Sequence, residues 1–265
     1  MSSEVATRCE LVSVLTSDIL ELLHLWILIF GRRCHRRHEV ARESRYTIVV
    51  DNRWNRKSSA KSPMEKIDLT EAVDAVRSGG VIAFPTDTFY ALGVDATNES
   101  AIRRAFEVKR RPADTPMPVL IAKPSQADQF TDAFGNVSNA LANRFWPGAL
   151  TIVVEAKESV PNVLMGGLGT VGLRMPDHDL AQRLIAQAGC GITGTSANIS
   201  GQPPSKDWRS IRESMGDDLD ALVVGECGGA SSASTVVRII DGGINILREG
   251  PISSNAIDLA LNGPQ

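Results

Sequence analysis

The apolar run Val81–Phe84 stops at Pro85, and Thr86, Asp87 and Thr88 follow at once. A short apolar run after Gly79-Gly80 reads as a buried strand. Pro85 has no N–H for a sheet ladder and so ends it. Three small polar side chains therefore stand at the end of a buried strand, which is where ligands bind in open α/β sheets. Asn98 can cap a following helix, Ser100–Lys109, whose apolar positions are Ala101, Ile102, Ala105, Phe106 and Val108. It runs out in Lys109-Arg110-Arg111-Pro112. One cation there would complement the helix dipole, worth about 0.3–1 kcal/mol. Three in a row, before a second short strand at Val119–Ala122, also suit an anion clamp, and spacing leaves both readings open.

Charge separates the chain into two parts. Residues 1–63 carry 11 Lys+Arg and 7 Asp+Glu, whereas residues 64–265 carry 17 and 24. The acidic main body argues against a broad nucleic-acid surface but leaves room for a local basic site. The first part is read as an N-terminal extension, poorly ordered or upstream of the true start. Its apolar stretch Leu11–Phe30 is broken by Asp18, Glu21 and His24, so the unbroken run Leu25–Phe30 is too short to span a bilayer. An Arg- and His-rich tract, residues 32–38, follows. From Met64 the pattern becomes regular, and 64–265 reads as one mixed α/β domain. The four cysteines of the whole chain, Cys9, Cys34, Cys190 and Cys227, include no CxxC pair, which fits a reducing compartment rather than a disulfide or zinc framework.

Along that domain the periodicity predicts helices at Leu69–Arg77, Ser125–Phe134, Val137–Phe145, Asp179–Ala188, Asp207–Met215 and Ser254–Leu261. Strands are predicted at Thr151–Glu155, Val171–Arg174, Gly191–Thr193, Leu222–Val224, Thr235–Ile240 and Ile244–Arg248. The fold class is α/β: a single domain with one twisted, mixed parallel and antiparallel sheet of about seven strands, flanking helices and a concave basic site. The glycine loop at Gly166–Gly169 is too irregular for a dinucleotide fingerprint, and no phosphate loop ending in Gly-Lys-Ser/Thr occurs. Candidate site residues gather at strand and helix ends: Thr86, Lys109, Arg111, Arg174, the Ser196–Asn198 loop, Ser234 and Arg248. The main body has one histidine, His178, and no paired nucleophile and base. Cations and hydroxyls without a nucleophile suit phosphoryl or nucleotidyl transfer by positioning and charge stabilisation.

In sequence order, these segments resemble the YrdC/TsaC family, the L-threonylcarbamoyladenylate synthases. The resemblance lies in Ile82–Thr88 with Tyr90 and Gly93, the K-x-R-P motif at Lys109–Pro112, Phe145–Gly148, Val171–Arg174 with Pro176 and His178, the S-x-N loop in Thr195–Gly201, Ser234–Val237, and Ile246–Arg248 with Gly250. It covers about residues 67–252, without the extra C-terminal domain of longer relatives. It implies a nucleotidyltransferase that converts L-threonine, bicarbonate or CO2, and ATP into threonylcarbamoyl-AMP and pyrophosphate, with Mg²⁺. The product feeds the N6-threonylcarbamoyl modification of adenosine 37 in tRNAs that read ANN codons, through a downstream transferase complex. The resemblance assigns Thr86, Arg174 and Ser234 to threonine. It assigns Lys109, Arg111, Ser196, Asn198 and Arg248 to ATP, with Lys109 and Arg111 catalytic. At most weak contact with tRNA or double-stranded RNA is expected, and no metal site is read. Small size and the lack of a targeting signal favour the cytoplasm, and the short apolar run speaks against a membrane.

The chain departs from the family pattern at several positions. Ala91 stands where glycine is usual, Leu120 where some members carry histidine, and Lys206 where threonine is common. Arg238 stands where Asp is usual, and the expectation is a reversed charge beside the threonine site. Two alternatives follow: a paralogue binding nucleotide or carbamoyl-adenylate for another pathway, and an RNA-binding module.

Overall fold

The Val81–Phe84 run folds as expected into a strand, β2 (Ile82–Phe84), in which every residue is buried. The computed structural model describes residues 47–49, 68–240 and 242–262, all within one compact unit, Tyr46–Gln265. The expectations for Leu11–Phe30, the Arg-rich tract 32–38 and the polar stretch 57–63 lie outside the described residues. One strand, β1 (Thr47–Val49), falls inside the segment read as an extension. It pairs in parallel with β9 (Ala221–Val223), so the sheet reaches upstream of residue 64.

The described strands form two sheets rather than one. The first has the order β1, β9, β2, β3 (Ala91–Gly93), β8 (Thr195–Ser196). Its first three strands are parallel, and β3 and β8 join antiparallel. The second has the order β11 (Gly243–Arg248), β10 (Thr235–Ile240), β5 (Leu150–Glu155), β6 (Thr170–Arg174), β4 (Val119–Leu120), β7 (Ile192–Thr193). Within it β10–β5 and β6–β4 are parallel and the other pairs antiparallel. The mixed α/β class therefore matches the sequence reading, while the strand count and the division into two sheets do not. The strands without a sequence signal, β1, β3 and β8, are two or three residues long, and distant partners hold them in place.

Two apolar cores hold the sheets. Helices α1 (Thr70–Arg77) and α5 (Asp179–Ala188) cover one face of the first sheet, with Val73, Val76, Leu184 and Ile185 against Ile82, Phe84 and Val223. The other face of that sheet joins the larger core. Val81, Tyr90, Leu92 and Leu222 meet α2 (Glu99–Lys109) there, through Ala101, Ile102 and Phe106. That core also holds Ile152, Val171, Leu173 and Val237 of the second sheet, with Leu141 and Ala142 of α3 (Asn136–Phe145) and Ile257 of α7 (Ser254–Asn262). A short helix, α4 (Asn162–Met165), and α6 (Trp208–Met215) complete the set. The predicted helix Ser125–Phe134 is only a 3-10 turn, Pro124–Gln129. There the Gln126 side chain accepts from Ala122 N and Lys123 N, and Phe130 is pulled into the core.

The sheets meet at Gly194, a single residue between β7 of one and β8 of the other. Gly194 N donates to Pro118 O at 2.8 Å, and a Cβ there would stand 2.4 Å from Leu120 Cγ. Only a residue without a side chain fits so close an approach.

Helix α2 begins at Asn98, whose side chain accepts from Ala101 N at 3.1 Å. It ends with Arg110 in the left-handed region, φ 51°, and Arg111 N donates back to Phe106 O. Holding a non-glycine residue there costs about 1–2 kcal/mol. Arg110→Gly is therefore expected to raise stability by about 0.5–1 kcal/mol, after glycine's own entropy cost. Thermal unfolding checks this, and a lower melting temperature would show that Arg110 makes compensating contacts.

Candidate active site

A cleft of about 250 Å³ opens where the two sheets meet. Its walls include Thr86, Thr88 and Phe89 after β2, Thr195 and Ser196 of β8, Thr151 of β5, Arg174 at the end of β6, and Ser234 and Arg248 of the β10–β11 hairpin. Ala91, Pro118, Leu120 and Gly194 form an apolar floor. Of the residues singled out in the sequence, Thr86, Arg111, Arg174, Ser196, Ser234 and Arg248 line this one cleft, while Lys109 and Asn198 stand behind it.

Arg174 is the most constrained of these. It is 6% exposed, and Nε donates to Gly148 O at 3.0 Å, Nη1 to Thr88 Oγ1 at 3.3 Å and Nη2 to Asp87 Oδ1 at 2.5 Å. The guanidinium has five N–H groups, so two more remain for a ligand after these three bonds. Thr86 Oγ1 donates to Phe89 O at 2.7 Å, which closes the turn carrying Asp87 and Thr88. Across the cleft, Arg248 donates from Nε and Nη2 to Ser234 O, and Ser234 Oγ lies 2.9 Å from Thr151 Oγ1. Arg111 reaches Thr195 Oγ1 only at 3.5 Å.

Among the described residues no Asp or Glu lines the cleft, whereas three guanidiniums do. Burial pulls the Arg111 guanidinium below its ordinary value. Arg248 is pulled down by burial and then by nearby Arg174. Cations brought together and partly dried, with one carboxylate beside them, make a site for an anion with several oxygens.

The motif cations divide their work. The left-handed turn at Arg110 sends Lys109 one way and Arg111 the other. Lys109 is 2% exposed; its ammonium donates to Ser196 O, to Asn198 O at 3.0 Å and to Asn198 Oδ1 at 3.4 Å. Ser200 N donates back to Lys109 O at 2.9 Å. Asn198 is turned inward, accepting from Ser196 Oγ through Oδ1 and donating through Nδ2 to Ile199 O and Gln202 O. Lys109 thus ties down the loop that presents Thr195 and Ser196.

Asp87, Thr88, Thr151 and Thr195 were not singled out as site residues. Asp87 was visible as part of the polar triplet after β2, but its pairing with Arg174 spans the two sheets. Thr151 gave no signal, because its place depends on β5 lying beside β10. The expectation for Arg238 is corrected. It lies four residues beyond Ser234 on β10, about 13 Å away at roughly 3.3 Å per residue. It borders a separate depression with Glu155 and Thr170, so its charge does not face the cleft.

The family model Sua5_yciO_yrdC, described as "Telomere recombination", matches residues 74–250. The chain belongs to the Sua5/YciO/YrdC family. It is 35% identical over 203 residues to the threonylcarbamoyl-AMP synthase of Pyrococcus abyssi, across 77% of this chain and 60% of that protein. It is 38% identical over 197 residues to the Bacillus subtilis threonylcarbamoyl-AMP synthase, across 74% of this chain and 57% of that protein. The chain thus spans about three fifths of the length of these relatives. The crystal structure of P. abyssi Sua5 complexed with L-threonine superposes with a TM-score of 0.72 at 35% identity, over 75% of this chain and 59% of that one. Among the described residues no helix is long and apolar enough to cross a membrane.

Burial, with the Arg111 cation second, pushes the Lys109 ammonium down from 10.5 to about 8. A base whose folded value is depressed gives up its proton first in the folded state. Burying its charge therefore costs most below pH 8, and that cost is relieved as pH rises toward 10.5. The stability of the wild type relative to Lys109→Met is expected to rise from pH 8 to pH 10.5 in urea unfolding. A flat difference would show that the three oxygen acceptors keep Lys109 charged.

Proposed function

We propose that this chain makes threonylcarbamoyl-AMP and pyrophosphate from L-threonine, bicarbonate or CO2, and ATP. The observation that carries the reading is the cleft with three guanidiniums, hydroxyls on both sides and no carboxylate on its wall. The threonylcarbamoyl-AMP synthases named among its relatives support the same reaction. The threonine bound in P. abyssi Sua5 supports threonine as the amino acid.

The threonine amine adds to CO2 and loses a proton, giving a carbamate. A carbamate oxygen attacks the α-phosphorus, the bond to the bridging oxygen breaks, and pyrophosphate leaves with the electron pair. The free N–H groups of Arg174 are turned to the threonine carboxylate, with Thr86 and Ser234 beside it. Arg111 and Arg248 offset charge on the transferring phosphorus and on pyrophosphate, and Ser196, whose proton goes to Asn198, accepts from a ribose hydroxyl. Lys109 and Asn198 act from behind, by fixing the loop that carries Ser196. No base is needed at the phosphorus, because the carbamate is already anionic. The cleft supplies position and charge, as phosphoryl and nucleotidyl transfer require.

Mg²⁺ enters this reading as part of the substrate, carried on the ATP phosphates. Among the described residues no three His, Cys, Asp or Glu side chains are grouped as a metal cage, and Asp87 is engaged by Arg174. That donor set suits an ion that keeps its waters and binds chiefly to phosphate. The proposed place in metabolism is the cytoplasm. There a transferase complex consumes the product to modify adenosine 37 of tRNAs reading ANN codons.

The test is pyrophosphate release from ATP with Mg²⁺ and bicarbonate, with L-threonine or L-serine, and mass spectrometry of the adenylate. Threonine-dependent release and a threonylcarbamoyl-AMP mass are expected. Arg111→Ala is expected to lower that rate about 10²-fold with the fold intact, and Lys109→Ala to lower it sharply. Nucleotide binding without threonine-dependent release would favour a paralogue of another pathway. Salt-sensitive RNA binding without turnover would favour an RNA-binding module.

A further inference from the structure

The loop 225–233 leaves β9 of the first sheet and enters β10 of the second, so it crosses the same gap that holds the cleft. Its first half is well anchored. The Tyr90 hydroxyl accepts from Gly225 N at 3.0 Å, and Gly228 N donates to Thr86 O at 2.9 Å. The backbone at Gly228 lies so close to the main chain of Asp87 that a Cβ there would stand 2.5 Å from Asp87 O.

The second half depends on one side chain from elsewhere. Lys206 donates from Nζ to Gly228 O at 2.9 Å and to Ala230 O at 2.6 Å. Its ammonium also sits 5.6 Å from the centre of the Phe89 ring, whose side chain lines the cleft. Among the described residues, 229–233 has no other hydrogen bond to the body of the protein. Lys206 itself stands on fixed ground, because Tyr90 N donates to the neighbouring Ser205 O at 3.0 Å. The loop ends at Ala233, which stands with Ser234 on the cleft wall, and Ser234 O holds Arg248.

We propose that Lys206 is a positioning residue: it latches the loop 225–233 against the Phe89 wall, and so sets Ser234 and, through it, Arg248. An ammonium with three donors can cap two carbonyls and face an aromatic ring at once. Lys206 does not itself line the cleft, so its effect on a ligand passes through the loop and the Phe89 ring. Loss of the latch leaves Ser234 tied at Thr151 but frees the chain that leads into it.

Cys227 reports on the latch directly. It is half-buried in the same loop, next to Gly228; burial pushes its thiol up to about 11 and the Lys206 cation pulls the other way, so loss of that charge alone would slow labelling and only a loosened loop would speed it. A loosened loop exposes this thiol and speeds its reaction. The experiment compares wild type, Lys206→Ala and Lys206→Arg by iodoacetamide labelling at pH 8, read per cysteine by peptide mass spectrometry, with Cys190 as control. Lys206→Ala is expected to label Cys227 at least about fivefold faster with Cys190 unchanged, and Lys206→Arg, which keeps the donors and the charge, to return the rate to near wild type. Equal Cys227 rates in wild type and Lys206→Ala would overturn the latch.

The kinetic consequence rests on the synthase reading: KM for ATP is expected to rise severalfold in Lys206→Ala with a smaller change in kcat, and to recover in Lys206→Arg. An unchanged KM alongside faster Cys227 labelling would overturn the positioning role. Absence of threonine-dependent turnover in the wild type would instead remove the synthase reading, and the labelling result would still decide the latch.

Discussion

The ion pair between Arg174 and Asp87 joins the two sheets and is nearly dry, with side chains 7% and 13% exposed. Asp87 follows β2 of one sheet, and Arg174 ends β6 of the other. A charge taken this far from water must be paired and hydrogen-bonded. Gly148 O, Thr88 Oγ1 and Asp87 Oδ1 take three of the five N–H groups. Removing either partner would strand the other, at a cost of about 3–5 kcal/mol. The pair therefore couples two demands: it ties the two sheets together, and it holds Arg174 on the cleft wall.

The rest of the site follows from that seam. Gly194 lets the chain step from one sheet to the other within one residue, so Thr195 and Ser196 arrive opposite Arg174. Lys109, buried below them, fixes the loop by capping its carbonyls. On the far side the β10–β11 hairpin brings Arg248 back to Ser234. Hydroxyls and guanidiniums are thus held by backbone acceptors on rigid strand ends. A site held in this way can stabilise a developing charge without rearranging.

Much of this was legible in the sequence. Strand-ending Pro85, the polar triplet after it and the helix running into Lys109–Pro112 marked one wall. The short apolar runs Thr235–Ile240 and Val171–Arg174 marked the others. What could not be read was which side chains face each other. Lys109 and Arg111 are two residues apart, yet one is buried under a loop and the other lines the cleft, because Arg110 adopts a left-handed conformation. Asp87 gains its meaning from a partner 87 positions away. Arg238 looked close to the site because it is close in sequence to Ser234, but extended chain carries it along the strand and away. The short strands β3 and β8 carry no periodicity, since two or three residues cannot display one.

A double-mutant cycle on the affinity for L-threonine tests this account most directly. Titration calorimetry would compare wild type, Asp87→Asn, Arg174→Lys and the double variant. If Asp87 acts by holding Arg174 in its binding pose, each single change weakens binding and the double variant is little worse than Arg174→Lys, a coupling of about 1–3 kcal/mol. Strictly additive losses would contradict it, because the two residues would then serve the ligand independently and the buried pair would be no more than a tie between sheets.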